Sequence, residues 1–296
     1  MALFLATLAV VNGASCQPPQ SGEKRVDLLF ASTRQLSEKS DPSGFLGNKQ
    51  GPLIFGRCRV RYAESPRAGR WSGYGDFFLP GDEREVVDAG TITRGEFVDA
   101  LGAGDAERVV LFVHGYSYGF GRGCRRVSDL QVVLGDSVQV VLFSWPSAGN
   151  PLRYGGDREA LSASIPELAS TLRLLVDVIG APRLAIAAHS MGAFGVMEAL
   201  RRFDTAEQGK LADLVFFAPD VDVEPFRAQF PGYRNHFGRV TLYTSANDVL
   251  LGLSSLLNGG RRLGQGGEKA LILPGLETVD VSRVPRHHPA AHEYQY

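Results

Sequence analysis

Cysteine is scarce in this chain, three among 296 residues. That excludes the disulfide-dense scaffolds of small secreted domains. Neither sign of charge prevails: 31 Lys and Arg stand against 32 Asp and Glu, a net −1. Such a balance gives no electrostatic case for nucleic acid as a partner. Long hydrophobic runs are missing too. Residues 2–11 are unbroken apolar and small, about half of the ~20 residues a membrane-spanning helix needs. No repeat or low-complexity block is visible. What remains is an ordinary globular composition, 44% hydrophobic and 21% charged, in a length that fits one large α/β domain or two small ones.

The run at residues 2–11 has the length of a signal-peptide core, and Asn12-Gly13-Ala14-Ser15-Cys16 supplies small residues before a cut. Cys16 after Gly-Ala-Ser resembles a lipoprotein cleavage box. The expected organisation is therefore a signal- or lipoprotein-like segment at 1–16, a proline-containing linker at 17–25 and one folded domain at 26–296. On this reading the protein is exported, periplasmic or membrane-anchored through Cys16. The alternative is a buried first element and a cytoplasmic protein. Cys58 and Cys124 could pair in an oxidising compartment; two free buried thiols is the preferred reading.

Hydrophobic patterning predicts strands at 26–31, 55–62, 109–113, 139–143, 184–188, 214–218, 239–244 and 277–281. Helices are predicted at 94–101, after Gly123 to about Leu134, at 157–179 despite Pro166, and after residue 190. Residues 38–52 and 67–84 read as loops, the second with Trp71, Tyr74, Phe77 and Phe78 as cover for a pocket. Continuous apolar strands alternating with helices imply a mostly parallel central sheet with helices on both faces. Sites in such sheets lie beyond the carboxyl ends of the strands.

The chain is organised around residues 184–200, LAIAAHSMGAFGVMEAL. An apolar strand reaches Ser190 and a helical pattern starts at once. Such a corner is sharp, so the residues two before and two after must be small; here they are Ala188 and Gly192. This strand–corner–helix context exposes a serine as a nucleophile and aims the next backbone N–H, that of Met191, at a developing negative charge. Its bland counterpart is a serine that caps a helix. Other polar chemistry also falls at strand ends: His114-Gly115-Tyr116, then Asp220 and Asp222, then Asp248, then His287, His288 and His292. A serine nucleophile needs a base, and the base needs an acid to hold its tautomer.

LFVHGY, VLFSWPSAG, AHSMG, FFAPDVD, LYTSAND and the ending HEYQY, in this order, resemble the α/β-hydrolase superfamily. More narrowly they resemble a bacterial branch of uncharacterised serine hydrolases, often exported or lipoprotein-like. The resemblance spans roughly residues 26–296 and implies the α/β-hydrolase fold. It also implies a Ser-Asp-His triad acting on carboxylic esters through an acyl-enzyme. Thioesters and amides stay within reach of that chemistry, and neither metal nor organic cofactor is called for. Among the histidines, His114 resembles the family's HG turn, which shapes the oxyanion loop. His189 lies inside the corner and His236 in a connecting segment. That leaves His292, in a His-x-Tyr-like ending, with His288 as the alternative. The acid is Asp248, past the strand that usually carries it, or Asp220 after the preceding strand. Backbone N–H groups of Met191 and Tyr116 would form the oxyanion hole. Tyr118, Trp145, Tyr154 and Phe194 are candidates to line a pocket for a small ester. A tail metal site on His287, His288 and His292 is disfavoured by Pro289. The rival function is a non-catalytic protein of this fold that binds a ligand or an envelope partner.

Overall fold

A computed structural model describes residues 24–62, 84–103, 106–203 and 209–283. The N-terminal segment with Cys16, the aromatic residues from Trp71 to Phe78, and His287, His288 and His292 lie outside the described residues.

The central strands are the apolar runs. β4 (Arg108–Val113) and β6 (Leu184–His189) are buried along nearly their whole length, which only a strand covered on both faces can be. They sit in the middle of nine strands among the described residues: β1 (Lys24–Leu36), β2 (Leu46–Tyr62), β3 (Arg84–Ile92), β5 (Val138–Ser144), β7 (Leu211–Phe217), β8 (Phe237–Thr244) and β9 (Glu277–Asp280) complete the set. The order across the sheet is β3-β2-β1-β5-β4-β6-β7-β8-β9. From β1 to β9 every pairing is parallel; β1–β2 and β2–β3 are antiparallel.

That antiparallel edge corrects one loop expectation. The second strand begins at Leu46, inside the segment 38–52 read as loop, and β3 is a strand that the patterning did not predict. Both strands alternate polar with apolar, and their exposed faces carry cross-strand pairs, Arg59 with Asp27 and Arg61 with Glu85. One-sided burial dilutes the apolar signal that marks a central strand. At Gly56 a Cβ would stand 2.1 Å from the Phe30 ring and 2.4 Å from the Gly90 carbonyl, so the strand can only pass there as glycine.

Alternation along each strand sends side chains to two cores. Leu111, Ile186, Leu214 and Phe216 pack under α1 (Arg94–Gly102), α3 (Tyr154–Ile179), α4 (Gly192–Leu200) and α5 (Val223–His236). Phe112, Ala185, Val215 and Phe217 share the other core with α2 (Phe120–Leu134). Cys58 and Cys124 lie in that second core as free, buried thiols. Two α-helices were not anticipated: α5, which His236 closes rather than connects, and α6 (Val249–Asn258). No helix among the described residues is long and apolar enough to cross a membrane.

Candidate active site at the carboxyl edge of the sheet

The chain leaves β6 through Ser190 at φ 52°, a left-handed backbone that side chains rarely adopt. It turns there because α4 must start immediately. Ser190 donates its N–H to Phe217 O at 2.9 Å, while its own carbonyl accepts from Ala193 N at 3.1 Å and Asp220 N at 3.1 Å. Gly192 meets the steric demand of the corner. A Cβ on it would stand 2.5 Å from both the Val113 and the His114 carbonyl oxygens. Gly115 plays the same part from the other side, its would-be Cβ 2.8 Å from that of Ser190. These close approaches bury Ser190 completely, contrary to the exposed hydroxyl expected of such a corner. Its Oγ has no hydrogen-bond partner among the described residues.

Beside it runs the loop from His114 to Gly119. The His114 ring is buried between Trp145 (4.8 Å, 17°) and Tyr118 (5.4 Å, 7°). Its Nδ1 lies 2.8 Å from the Gly115 carbonyl, the contact of a donor N–H. Burial, reinforced by the nearby Arg34 charge, holds the imidazole pKa well below its ordinary value, so it is neutral at neutral pH. Trp145 fixes the same residue through Nε1–H to the His114 carbonyl, 2.9 Å. Tyr118 and Trp145 are thus packing beneath the loop, both at most 2% exposed. Tyr116, Tyr154 and Phe194 are half-buried. The Tyr116 and Tyr154 rings meet edge to face at 5.5 Å, and Arg158 lies 3.4 Å over the Phe194 ring. No acceptor among the described residues takes the N–H of Met191 or of Tyr116.

The two candidate acids differ in their surroundings. Asp220 is buried with both oxygens engaged: Tyr154 Oη donates to Oδ2 at 2.7 Å and Ser254 Oγ to Oδ1 at 2.6 Å. Arg262 Nε stands 3.6 Å from the same carboxylate. Burial and the neighbouring Asp220 charge push the Tyr154 phenol up to about 12. Asp248 is buried at the N-terminus of α6, where Oδ1 accepts from Leu251 N at 2.9 Å. Asp222 caps α5 in the same way through Glu224 N.

Two residues here had no place in the sequence reading, Arg34 and Asp157. Arg34 lies two residues before the end of β1, fully buried; Asp157 sits equally buried in the first turn of α3. A charge closing an apolar strand is the one signal that pointed to Arg34.

The family described as "Alpha/beta hydrolase of unknown function (DUF900)" matches residues 91–295, more than half of the chain. The protein belongs to that family. Its nine-stranded, mostly parallel sheet with helices on both faces is the α/β-hydrolase fold. None of the curated proteins matches. Similar solved structures include EstE1, a thermophilic carboxylesterase from a metagenomic library, 16% identical, covering 94% of this chain and 82% of that one at a TM-score of 0.32. Another is the esterase of Pyrobaculum calidifontis, 13% identical over 94% of this chain and 78% of its own at 0.31.

Proposed function

We propose that this α/β-hydrolase-fold protein is a serine hydrolase that cleaves carboxylic esters, with Ser190 as nucleophile, His292 as base and Asp248 as the acid that orients it. The observation that carries the reading is the Ser190 backbone. A non-glycine residue at φ 52° between a strand and a helix, with a buried unpartnered Oγ, is strain held in place by its surroundings. In the reaction the imidazole of His292 takes the Oγ proton as Oγ attacks the ester carbonyl carbon. The negative oxygen that forms accepts from the N–H groups of Met191 and Tyr116. The intermediate collapses, the carbonyl–alkoxide bond breaks, and His292 returns the proton to the departing alkoxide. Water, deprotonated by the same imidazole, then releases the acid from Ser190. Asp248 is favoured over Asp220 because it follows β8, the second strand after the Ser190 corner, where the acid of such a triad usually lies.

A fluorophosphonate probe should label the wild type on Ser190, and Ser190→Ala should lose both labelling and turnover of a short p-nitrophenyl ester while melting normally. A wild type that resists the probe and turns over no ester would leave the non-catalytic, ligand-binding reading in its place.

A further inference from the structure

The loop beside Ser190 has its donors and acceptors assigned almost residue by residue, and the assignments converge on one buried carboxylate. Asp157 Oδ2 accepts from Ser117 N at 2.9 Å and from Ser147 Oγ at 2.5 Å; Oδ1 accepts from Ala148 N at 2.7 Å. The Ser147 hydroxyl in turn accepts from Tyr118 N at 3.0 Å. Asp157 therefore ties the loop after β4 to the loop after β5, both directly and through Ser147.

Arg34 is the counterpart on the opposite side. Its Nη2 donates to the Tyr118 carbonyl at 2.7 Å and Nη1 to the Ser147 carbonyl at 3.1 Å and the Gly47 carbonyl at 2.9 Å. Nε donates to Ser144 Oγ at 2.8 Å. Burial lowers the Arg34 pKa to about 9 against the opposing pull of Asp157, so it is charged at neutral pH. One anion and one cation, each buried, hold the same two loops from two directions.

The result is selective. Ser117 has φ 59°, a left-handed conformation no turn glycine supplies here, and its N–H is drawn to Asp157. The Tyr116 N–H, one residue earlier, has no acceptor among the described residues. We propose that Asp157, neutralised by Arg34, is a positioning residue. It captures the Ser117 N–H, fixes the strained Tyr116–Ser117 peptide, and so keeps the Tyr116 N–H available to a negative oxygen at Ser190. The inference rests on the serine-hydrolase reading. It also explains the pairing: a buried carboxylate near an oxyanion opposes it, and the Arg34 guanidinium offsets that charge. Asn cannot replace the aspartate, because three donors converge on it and a carboxamide offers one oxygen and two opposing N–H bonds.

The test is Asp157→Asn in the full chain, with the fluorophosphonate and a short p-nitrophenyl ester. Expected is a loss of about 100-fold in kcat, the scale of one oxyanion donor, with KM changed less than threefold. A trifluoromethyl ketone, which forms a tetrahedral oxyanion on the serine, should lose affinity in the same proportion, while the product acid binds as before. A merely structural aspartate would not separate those two ligands. Should Asp157→Asn fail to fold, Ser147→Ala decides: it removes only the hydroxyl between Asp157 and the Tyr118 N–H, and should lower kcat about tenfold at unchanged KM. A folded Asp157→Asn with turnover within threefold of wild type overturns the proposal; so does an unaltered Ser147→Ala where that variant decides. A wild type that the fluorophosphonate does not label on Ser190 overturns it together with the hydrolase reading, whereas labelling of both wild type and Asp157→Asn at equal rates overturns it alone.

Discussion

Ser117, Ser190 and Ala218 take φ values of 59°, 52° and 44°, and all three follow the carboxyl ends of parallel strands. Each costs of order 1–3 kcal/mol relative to an unstrained residue, so the rest of the fold must hold them. Gly192 is where that hold is tightest. An added methyl there would meet two backbone carbonyl oxygens at 2.5 Å, and backbone of a central strand has nowhere to go. Gly192→Ala should therefore lose about 3 kcal/mol of stability by overpacking and should abolish probe labelling. Gly252, inside α6, is the control: a methyl there meets nothing within 4 Å. Gly252→Ala should gain about 0.5–1 kcal/mol from helix propensity and keep its labelling. Chemical denaturation of the two variants checks both signs; equal effects would show that the corner tolerates a side chain.

At the scale of elements, the sequence disclosed what was buried on both faces and concealed the rest. β4, β6 and the second half of β7 are apolar runs, and a run needs no partner to be read. β3 and the first half of β2 mix polar with apolar residues and contain glycines, so their strand character depends on pairing, the first half of β2 with β1 and β3 with the second half of β2. Ser190 was legible because a sharp corner demands small neighbours at fixed spacing. Arg34 was not, since what defines it are contacts to Tyr118 and Ser147, more than 80 residues along the chain; Asp157 was not, since its partners lie in two loops that only the fold brings to its helix. The two candidate acids belong to this scale as well. Asn is as good an N-cap as Asp, so Asp248→Asn should leave α6 and the melting temperature intact. If Asp248 orients His292, that variant nevertheless loses about 10⁴-fold in turnover. Asp220→Asn should do the reverse. It strips the buried Arg262 of its counter-charge, a loss of about 3–5 kcal/mol, yet leaves the chemistry of any surviving fold largely unchanged. Kinetics and thermal melts on the pair separate the roles, and a kinetic defect confined to Asp220→Asn reverses the assignment.

For the whole molecule the loop below Ser190 sets a pH dependence. His114 is neutral in the folded state because its ring is stacked and dry, with a pKa well below 6.5, whereas in the unfolded chain it titrates at its ordinary value. Below pH 6.5 the unfolded state therefore binds a proton that the folded state refuses. Stability rises with pH wherever the unfolded state holds more protons, so His114 removes stability as pH falls through 6.5. The slope is about 1.4 kcal/mol per pH unit until the folded-state pKa is reached. Tyr154 and Tyr233 act at the other end. Both phenols are pushed up to about 12 by burial, so the folded state keeps protons that the unfolded state loses above pH 10. Their contribution is complete below pH 10 and disappears as pH rises through about 12. The acid limb can be isolated by urea unfolding of wild type and His114→Gln between pH 5 and 7.5. Other groups titrate alike in both proteins, so the difference between the two curves reports His114 alone. The variant should be less stable near pH 7.5, having lost the stacked ring between Tyr118 and Trp145, and that deficit should shrink by about 1.4 kcal/mol for each pH unit below 6.5. Parallel curves over the whole range would mean that the buried imidazole accepts its proton in place, and that the site survives acid as a charged one.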